Sequence, residues 1–421
     1  MRLFLLACLS GFILLLSGCN GGADGSSLVP TPTPTPTPAP TPIPTGDNVM
    51  AVTVDAGPGN LSSLSLNVPT VSVTICAPGT AQCVTVDHIL VDTASTGLRL
   101  MASALGNVNS ILPQATVPGA STTPLVECYK FADGFIWGPV KTVDATFGGK
   151  TVSNLSIQVI GDSTYANTVP TGCSSGGSPE NDVNSFGSNG VLGIGNIIHD
   201  CESLCTSPTS PYLEDFYYGC SVPGNCIATA VPLIAQIMNP VSLFASDNNG
   251  VAMTMQTVPT SGASTAAGFL IFGIGTQSNN ALGNAAVYPI DANGLLNMSY
   301  QSKTYSNSFL DSGSNLLFMP SATGIAICTG TLPGFLCPTN AIAANVTVTG
   351  INGTPSNIVG LSIGNAQTLL GSNSFTAFNN VGGNNGTGGI DLGMPFNYGR
   401  TVFTAFNGAS TSAGSGPFVA F

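Results

Sequence analysis

Charge is the scarcest property of this 421-residue chain: Asp, Glu, Lys and Arg together make up 6% of it, against about 25% in an ordinary soluble domain. Seven Lys and Arg in all cannot build a phosphate-binding patch, and a formal net charge of −12 sets the chain against nucleic acid and anionic membrane surfaces. Histidine is scarcer still. His88 and His199 are the only two, so a Ser-His-Asp triad would have to use one of them. Both read as structural side chains, with His88, on a predicted strand leading to Asp92, expected on the face of Leu90 and Asp92. Trp137 is the only tryptophan, and it fits a core, a hairpin stem or a cleft wall. With so few charges, the surface must be covered by Ser, Thr, Asn and Gly, and Gly alone counts 52.

At the start, Arg2 precedes an apolar run over residues 3–16, too short for a stable membrane-spanning helix and right for the core of a signal peptide. The run ends in Leu16-Ser17-Gly18-Cys19, which resembles a bacterial lipobox. That resemblance implies a lipid on Cys19 after cleavage, and Asn20 rather than Asp behind it implies the outer membrane. An unmodified Cys in an ordinary signal peptide is the plainer alternative. From residue 31 to 44, Thr, Ala or Ile alternates with Pro. This forbids helix and sheet and favours polyproline II, a stalk of roughly 40 Å at ~3.1 Å per residue. Setting aside Cys8 and Cys19 leaves Cys76, Cys83, Cys128, Cys173, Cys201, Cys205, Cys220, Cys226, Cys328 and Cys337. An even set outside the cytosol reads as disulfides. Cys76 with Cys83, and Cys328 with Cys337, lie close enough to staple short loops. The four from Cys201 to Cys226 superficially suggest zinc, but export favours two disulfides there, with connectivity open.

Two similar stretches far apart carry the chemistry: Ile89-Leu90-Val91-Asp92-Thr93-Ala94-Ser95-Thr96-Gly97 and Ser308-Phe309-Leu310-Asp311-Ser312-Gly313-Ser314. Each sets one aspartate behind mostly apolar residues and ahead of small, hydroxyl-bearing ones. Two carboxylates that meet at ~3 Å cannot both ionise, so they share a proton, one acting as base and the other as acid. Each stretch is followed by an apolar run closed by glycine, Gly190-Val191-Leu192-Gly193-Ile194-Gly195 and Gly389-Ile390-Asp391-Leu392-Gly393-Met394. This repeated order reads as two related lobes, as the length also suggests. Short alternating runs such as Val71-Ser72-Val73-Thr74-Ile75, broken by turns such as Ala77-Pro78-Gly79-Thr80, predict an all-β protein with few short helices, the best helical candidate being residues 230–238. The division expected is a leader over 1–18, a lipidated Cys and linker over 19–47, and lobes over 48–246 and 247–421.

In this order the residues resemble a pepsin-like aspartic peptidase of the bilobal kind, from about Val52 to Phe421. Gly268-Phe269-Leu270-Ile271-Phe272-Gly273 resembles the strand opening the second half, and Thr401-Val402-Phe403 and Phe418-Val419-Ala420-Phe421 its C-terminal run. The resemblance implies a two-lobed acid-protease fold with pseudo-twofold symmetry, acting on peptide or protein substrates as a monomer without metal or cofactor. It assigns Asp92 and Asp311 as the catalytic pair. Thr93 and Ser312 would bond across the lobes, and Ser95 and Ser314 would bond the outer carboxylate oxygens. A substrate-covering hairpin would fall near residues 128–138, with Tyr129 or Phe131 as its tyrosine equivalent.

The chain departs from that pattern in four ways. Ala94 replaces a glycine, and its Cβ is strained if the position needs φ > 0. Arg99 stands where the family often has a tryptophan paired with the hairpin tyrosine, and brings a cation toward Asp92. No basic propeptide lies between residues 46 and 66. At neutral pH an ordinary pair of carboxyls would lose the shared proton, so activity there needs a raised affinity for it. The competing reading is a catalytically inactive pepsin-fold binding or structural protein of the cell envelope.

Overall fold

A computed structural model describes residues 44–421 except 60, 63–64, 167–168, 223 and 372–373. The leader, Cys19 and the linker up to residue 43 lie outside the described residues. Alternation becomes strand where one face has a core to meet. Pro69–Cys76 buries Val71, Val73 and Ile75 and pairs antiparallel with Cys83–Asp92. The Cys76–Cys83 disulfide closes the hairpin, and the returning strand delivers Asp92 at its last position. One bulge interrupts this strand. Asp87 and His88 together oppose Ser72, and His88 takes a φ of 47°. Its imidazole therefore stands 3.4 Å from Asp55 and 3.3 Å from Asp87 rather than beside Asp92, correcting the expectation from simple alternation.

Two apolar clusters are the largest among the described residues. The first gathers Val73, Ile75, Leu98, Phe147 and Ile157, and the second Leu296, Met298, Leu317, Val346 and Phe396. An antiparallel sheet runs in the order Val49–Val54, Ala266–Phe272, Gly250–Met255, Thr401–Ala405, Phe418–Ala420 and Val287–Pro289. Its period-two alternation puts Val251 and Met253 into the first core and Ala252, Ile271 and Phe403 into a separate apolar layer. The α-helices among the described residues are only four or five residues long. This is the all-β, two-lobed architecture expected. Residues 230–238 hold only a 3-10 turn at Leu233–Ala235, because Ile234 is 91% exposed and finds no core to stabilise a helix.

Five disulfides pair Cys76–Cys83, Cys128–Cys173, Cys201–Cys205, Cys220–Cys226 and Cys328–Cys337. Two of them border the hairpin of Ala120–Lys130 and Gly134–Phe147, which turns at residues 131–133 as expected. This hairpin is not free. Tyr217–Val222 pairs along its first strand, Asn225–Ala228 extends that sheet, and Ser178–Pro179 pairs with Gly134 and Phe135 on the other side. Trp137 is buried here, its indole N–H donating to the Tyr165 carbonyl at 3.1 Å and its ring edge-on to Tyr218.

Candidate active site

Both aspartates leave the end of a strand into a turn that the later apolar-Gly run holds in place. Gly190–Ile194 lies parallel to Cys83–Asp92, with Leu192 beside Val91 and Gly193 beside Asp92, and antiparallel to Thr96–Met101. In the second lobe Asp391–Leu392 lies parallel to Phe309 and Leu310 and antiparallel to Leu317 and Phe318. Each run thus fills the space between the two arms of its turn. The glycines are needed for that approach: a Cβ on Gly193 would sit 2.5 Å from the Thr96 nitrogen, and one on Gly393 would sit 2.2 Å from the Leu316 carbonyl oxygen.

The two turns bring the carboxyls together. A Cβ on Gly313 would lie 2.8 Å from Asp92 Cγ, 2.9 Å from Asp92 Oδ1 and 3.1 Å from Asp311 Oδ1. Asp92 Oδ1 accepts the amide hydrogens of Ala94 and Ser95 at 2.8 and 3.2 Å. Asp311 Oδ1 accepts the Gly313 amide at 2.7 Å, and its Oδ2 accepts the Ser314 hydroxyl at 2.9 Å. Ser312 ties the lobes: its amide donates to Thr93 Oγ1 at 3.0 Å and its hydroxyl to the Val91 carbonyl at 2.7 Å. Ala94 is not among the residues at positive φ, so its Cβ carries no left-handed strain. Ser95 departs from the expected role. Its Oγ is buried without a hydrogen-bond partner, on the side of Gly193, and its amide instead of its hydroxyl reaches Asp92.

A third carboxyl belongs to this cluster, and it was overlooked inside an apolar run. Asp391 is buried, and its signal in the sequence was the single charge in Gly389-Ile390-Asp391-Leu392-Gly393. Burial, then the charges of Asp92 and Asp391, holds Asp311 well above the usual carboxylate range, with Ser314 opposing. Burial likewise pushes Asp391 up to about 8, with the Ser314 hydrogen bond opposing and the Asp92 charge adding.

On the hairpin, Tyr129 lies over Arg99, whose guanidinium carbon is 3.7 Å from the ring centroid. Arg99 is fully buried and reaches Glu127 at 2.7 Å, Asp200 at 3.1 Å and the Thr96 carbonyl. Its guanidinium is therefore engaged by Glu127 of the hairpin and by Asp200. Burial holds Asp200 well above its usual range, the Glu127 charge adding and Arg99 opposing. The charge of Asp92 acts on the Tyr129 hydroxyl, after burial and Arg99. Phe131 packs on Tyr129 and Phe186 instead, so Tyr129 is the hairpin aromatic electrostatically coupled to the carboxyls.

Among solved structures, the chain is similar to the crystal structure of an aspartic proteinase from Irpex lacteus, at 16% identity and a TM-score of 0.48, over 88% of this chain and 96% of that one. A search of curated proteins finds no match. Residues 44–421 match the model of a family described as "Protein of unknown function (DUF3443)", and the chain belongs to that family.

Proposed function

We propose that this protein is an exported, lipid-anchored aspartic endopeptidase of the pepsin-like kind. The carrying observation is the convergence of Asp92 and Asp311 around Gly313, each at the tip of a turn locked by its own apolar-Gly strand. Two carboxyls this close hold one negative charge between them. Burial and neighbouring charge favour the protonated form of Asp311, which leaves Asp92 as the base. A water between them gives its proton to Asp92 as its oxygen attacks the peptide carbonyl carbon, while Asp311 passes its proton to the carbonyl oxygen. Collapse of the diol returns one hydroxyl proton to Asp311, breaks the C–N bond and takes the proton from Asp92 onto the leaving nitrogen.

The five disulfides support an oxidising compartment, and the lipobox-like Cys19 supports a membrane anchor, in the outer membrane by the Asn20 reading. Both half-sites lie in one chain, so a monomer suffices. The test is cleavage of a diverse quenched-peptide library by the detergent-purified full chain from about pH 3 to about pH 8, with and without pepstatin. Asp92→Asn and Asp311→Asn should each lower the rate by about 10³-fold or more. A folded, disulfide-bonded sample that cleaves nothing would instead make this a pepsin-fold binding protein of the envelope, a reading to which the unpartnered Ser95 hydroxyl and the strapped hairpin belong.

A further inference from the structure

One strand edge of the second lobe is left undefended. Ser356–Ile363 ends that lobe's sheet and pairs along one side, with Ile342–Thr349. Among the described residues no strand pairs along its other side. A free edge presents a row of backbone N–H and C=O groups, which folded chains normally blunt with Lys, Pro or a bulge. This strand carries no charge and no proline, its register with Ile342–Thr349 is unbroken, and Ile358 is 72% exposed. Gly360 is equally unusual. It is not at positive φ, and an added Cβ would meet nothing closer than Asn345 Oδ1 at 3.7 Å, so neither conformation nor packing asks for glycine there. A glycine inside a strand without such a reason marks the close approach of a ligand or of another backbone.

Residues 357–360 of this edge line a cleft of about 380 Å³, together with Tyr288, Phe421 and Arg400. Its aromatic wall leads to a cation. Phe421 stacks on Tyr288 at 4.8 Å and meets Phe396 edge-on at 5.0 Å, and the Arg400 guanidinium carbon lies 4.6 Å from the Phe396 centroid. Arg99, Lys130, Lys141 and Lys150 each meet a carboxylate, whereas Arg400 meets none among the described residues. Its Nη1 donates to the Phe396 carbonyl at 2.6 Å, and its Nε and Nη2 have no partner among those residues. Burial lowers the Arg400 pKa, with no counter-charge opposing. We propose that this cleft binds the C-terminal tail of an apolar peptide: the tail adds to the free edge of Ser356–Ile363 as a further strand, and its terminal carboxylate seats on Arg400. Backbone pairing supplies the affinity of strand addition, and a charge-assisted bond to guanidinium fixes its direction. One unpaired cation in a chain of net charge −12 answers one carboxylate and repels tails with more. A terminal carboxylate continues the line of the pairing backbone, whereas an acidic side chain projects from the sheet face. None of the cleft residues belongs to the carboxyl site, so the proposal stands apart from the peptidase reading.

Fluorescence anisotropy of the detergent-purified full chain, with pepstatin present, measures binding of a dye-labelled tetrapeptide of valine and phenylalanine that ends in a free carboxylate. The C-terminal amide of the same peptide should bind about tenfold or more weakly, as should the free acid to Arg400→Gln, and the amide should bind both forms of the protein alike. Gly360→Val introduces a residue that suits strands. It should hold or raise the melting temperature while weakening the free acid by about fivefold or more, which a glycine kept for folding alone would not do. Circular dichroism reports whether each variant is folded. Absence of binding, equal binding of acid and amide, or unchanged binding by folded Arg400→Gln or Gly360→Val would overturn the proposal. An amidated tetrapeptide with one internal glutamate that binds as tightly as the free acid would also overturn it, giving Arg400 to a side chain. Benzoate binding as tightly as the tetrapeptide would reduce the cleft to a small-anion site. A dimer in sedimentation that Gly360→Val dissolves would hand the edge to a second copy of the chain and sink the peptide assignment.

Discussion

Ala94 and Gly313 stand two residues after their aspartates, and the contrast between them shows how closely the turns approach. Ala94 sits at an ordinary negative φ and spends its amide on Asp92. At Gly313 a methyl group would come within 2.8 Å of Asp92 Cγ, closer than packed atoms stand. Gly313→Ala should therefore push the carboxyls apart, cutting cleavage by about 10²-fold and stability by about 1–3 kcal/mol. Ala94→Gly should cost only about 0.5–1 kcal/mol, as any added backbone freedom does, and keep the activity. Thermal melting with a peptide cleavage assay on both variants checks the pair. At this scale the sequence was readable wherever the contact is local. Gly313 and Ser314 reach Asp311 from two and three residues away, so the motif itself encodes the geometry. The Ser95 hydroxyl was misread because its direction depends on Gly193, nearly a hundred residues further along the chain.

Elements differ from residues in that their partners decide what they can do. The hairpin near residues 128–138 was expected from the resemblance, but its strapping by Tyr217–Val222 and Ser178–Pro179 joins segments with no shared pattern, and alternation carries no record of them. Arg99 illustrates the same limit. Read alone it brings a cation toward Asp92, whereas in the fold it links the strand Thr96–Met101 to the hairpin through Glu127 and Tyr129. Arg99→Leu should leave Glu127 buried without a counter-charge and Asp200 without its guanidinium hydrogen bond, a loss of about 3–5 kcal/mol. Arg99→Lys should recover little of it, since an ammonium cannot reach Glu127, Asp200 and the Thr96 carbonyl at once while stacking on Tyr129. Urea unfolding measures the loss, and limited proteolysis should show the cut appearing first in the hairpin. Full recovery by lysine would mean that charge alone matters there.

For the whole molecule, the same scarcity of basic residues that excluded nucleic acid shapes stability against pH. Asp311, Asp391 and Asp200 are held above the usual carboxylate range chiefly by burial, Asp391 at about 8, and Glu180 is pushed up to about 7 by burial and by Asp133. Each keeps its proton in the fold and releases it on unfolding once the pH exceeds its ordinary value. The unfolded state therefore binds fewer protons, and stability falls as pH rises from about 4 toward 8, by about 1.4 kcal/mol per pH unit for each fully buried group. Self-repulsion from a net charge of −12 acts in the same direction. Asp162, Asp182 and Asp247 are lowered, burial opposing their hydrogen bonds in Asp162 and Asp247 and a Ser185 amide leading in Asp182. Their contribution is present above their ordinary value and is lost as pH falls through the lowered one. The two sets together place maximal stability on the acid side, between the ordinary carboxylate value and neutrality. Thermal melting from about pH 3 to about pH 9 should show a maximum near pH 4–5 and a steady decline above it. Asp391→Asn should flatten that decline, because it removes one proton that only the folded state holds; a profile rising toward pH 7 would mean that these carboxyls ionise in the fold.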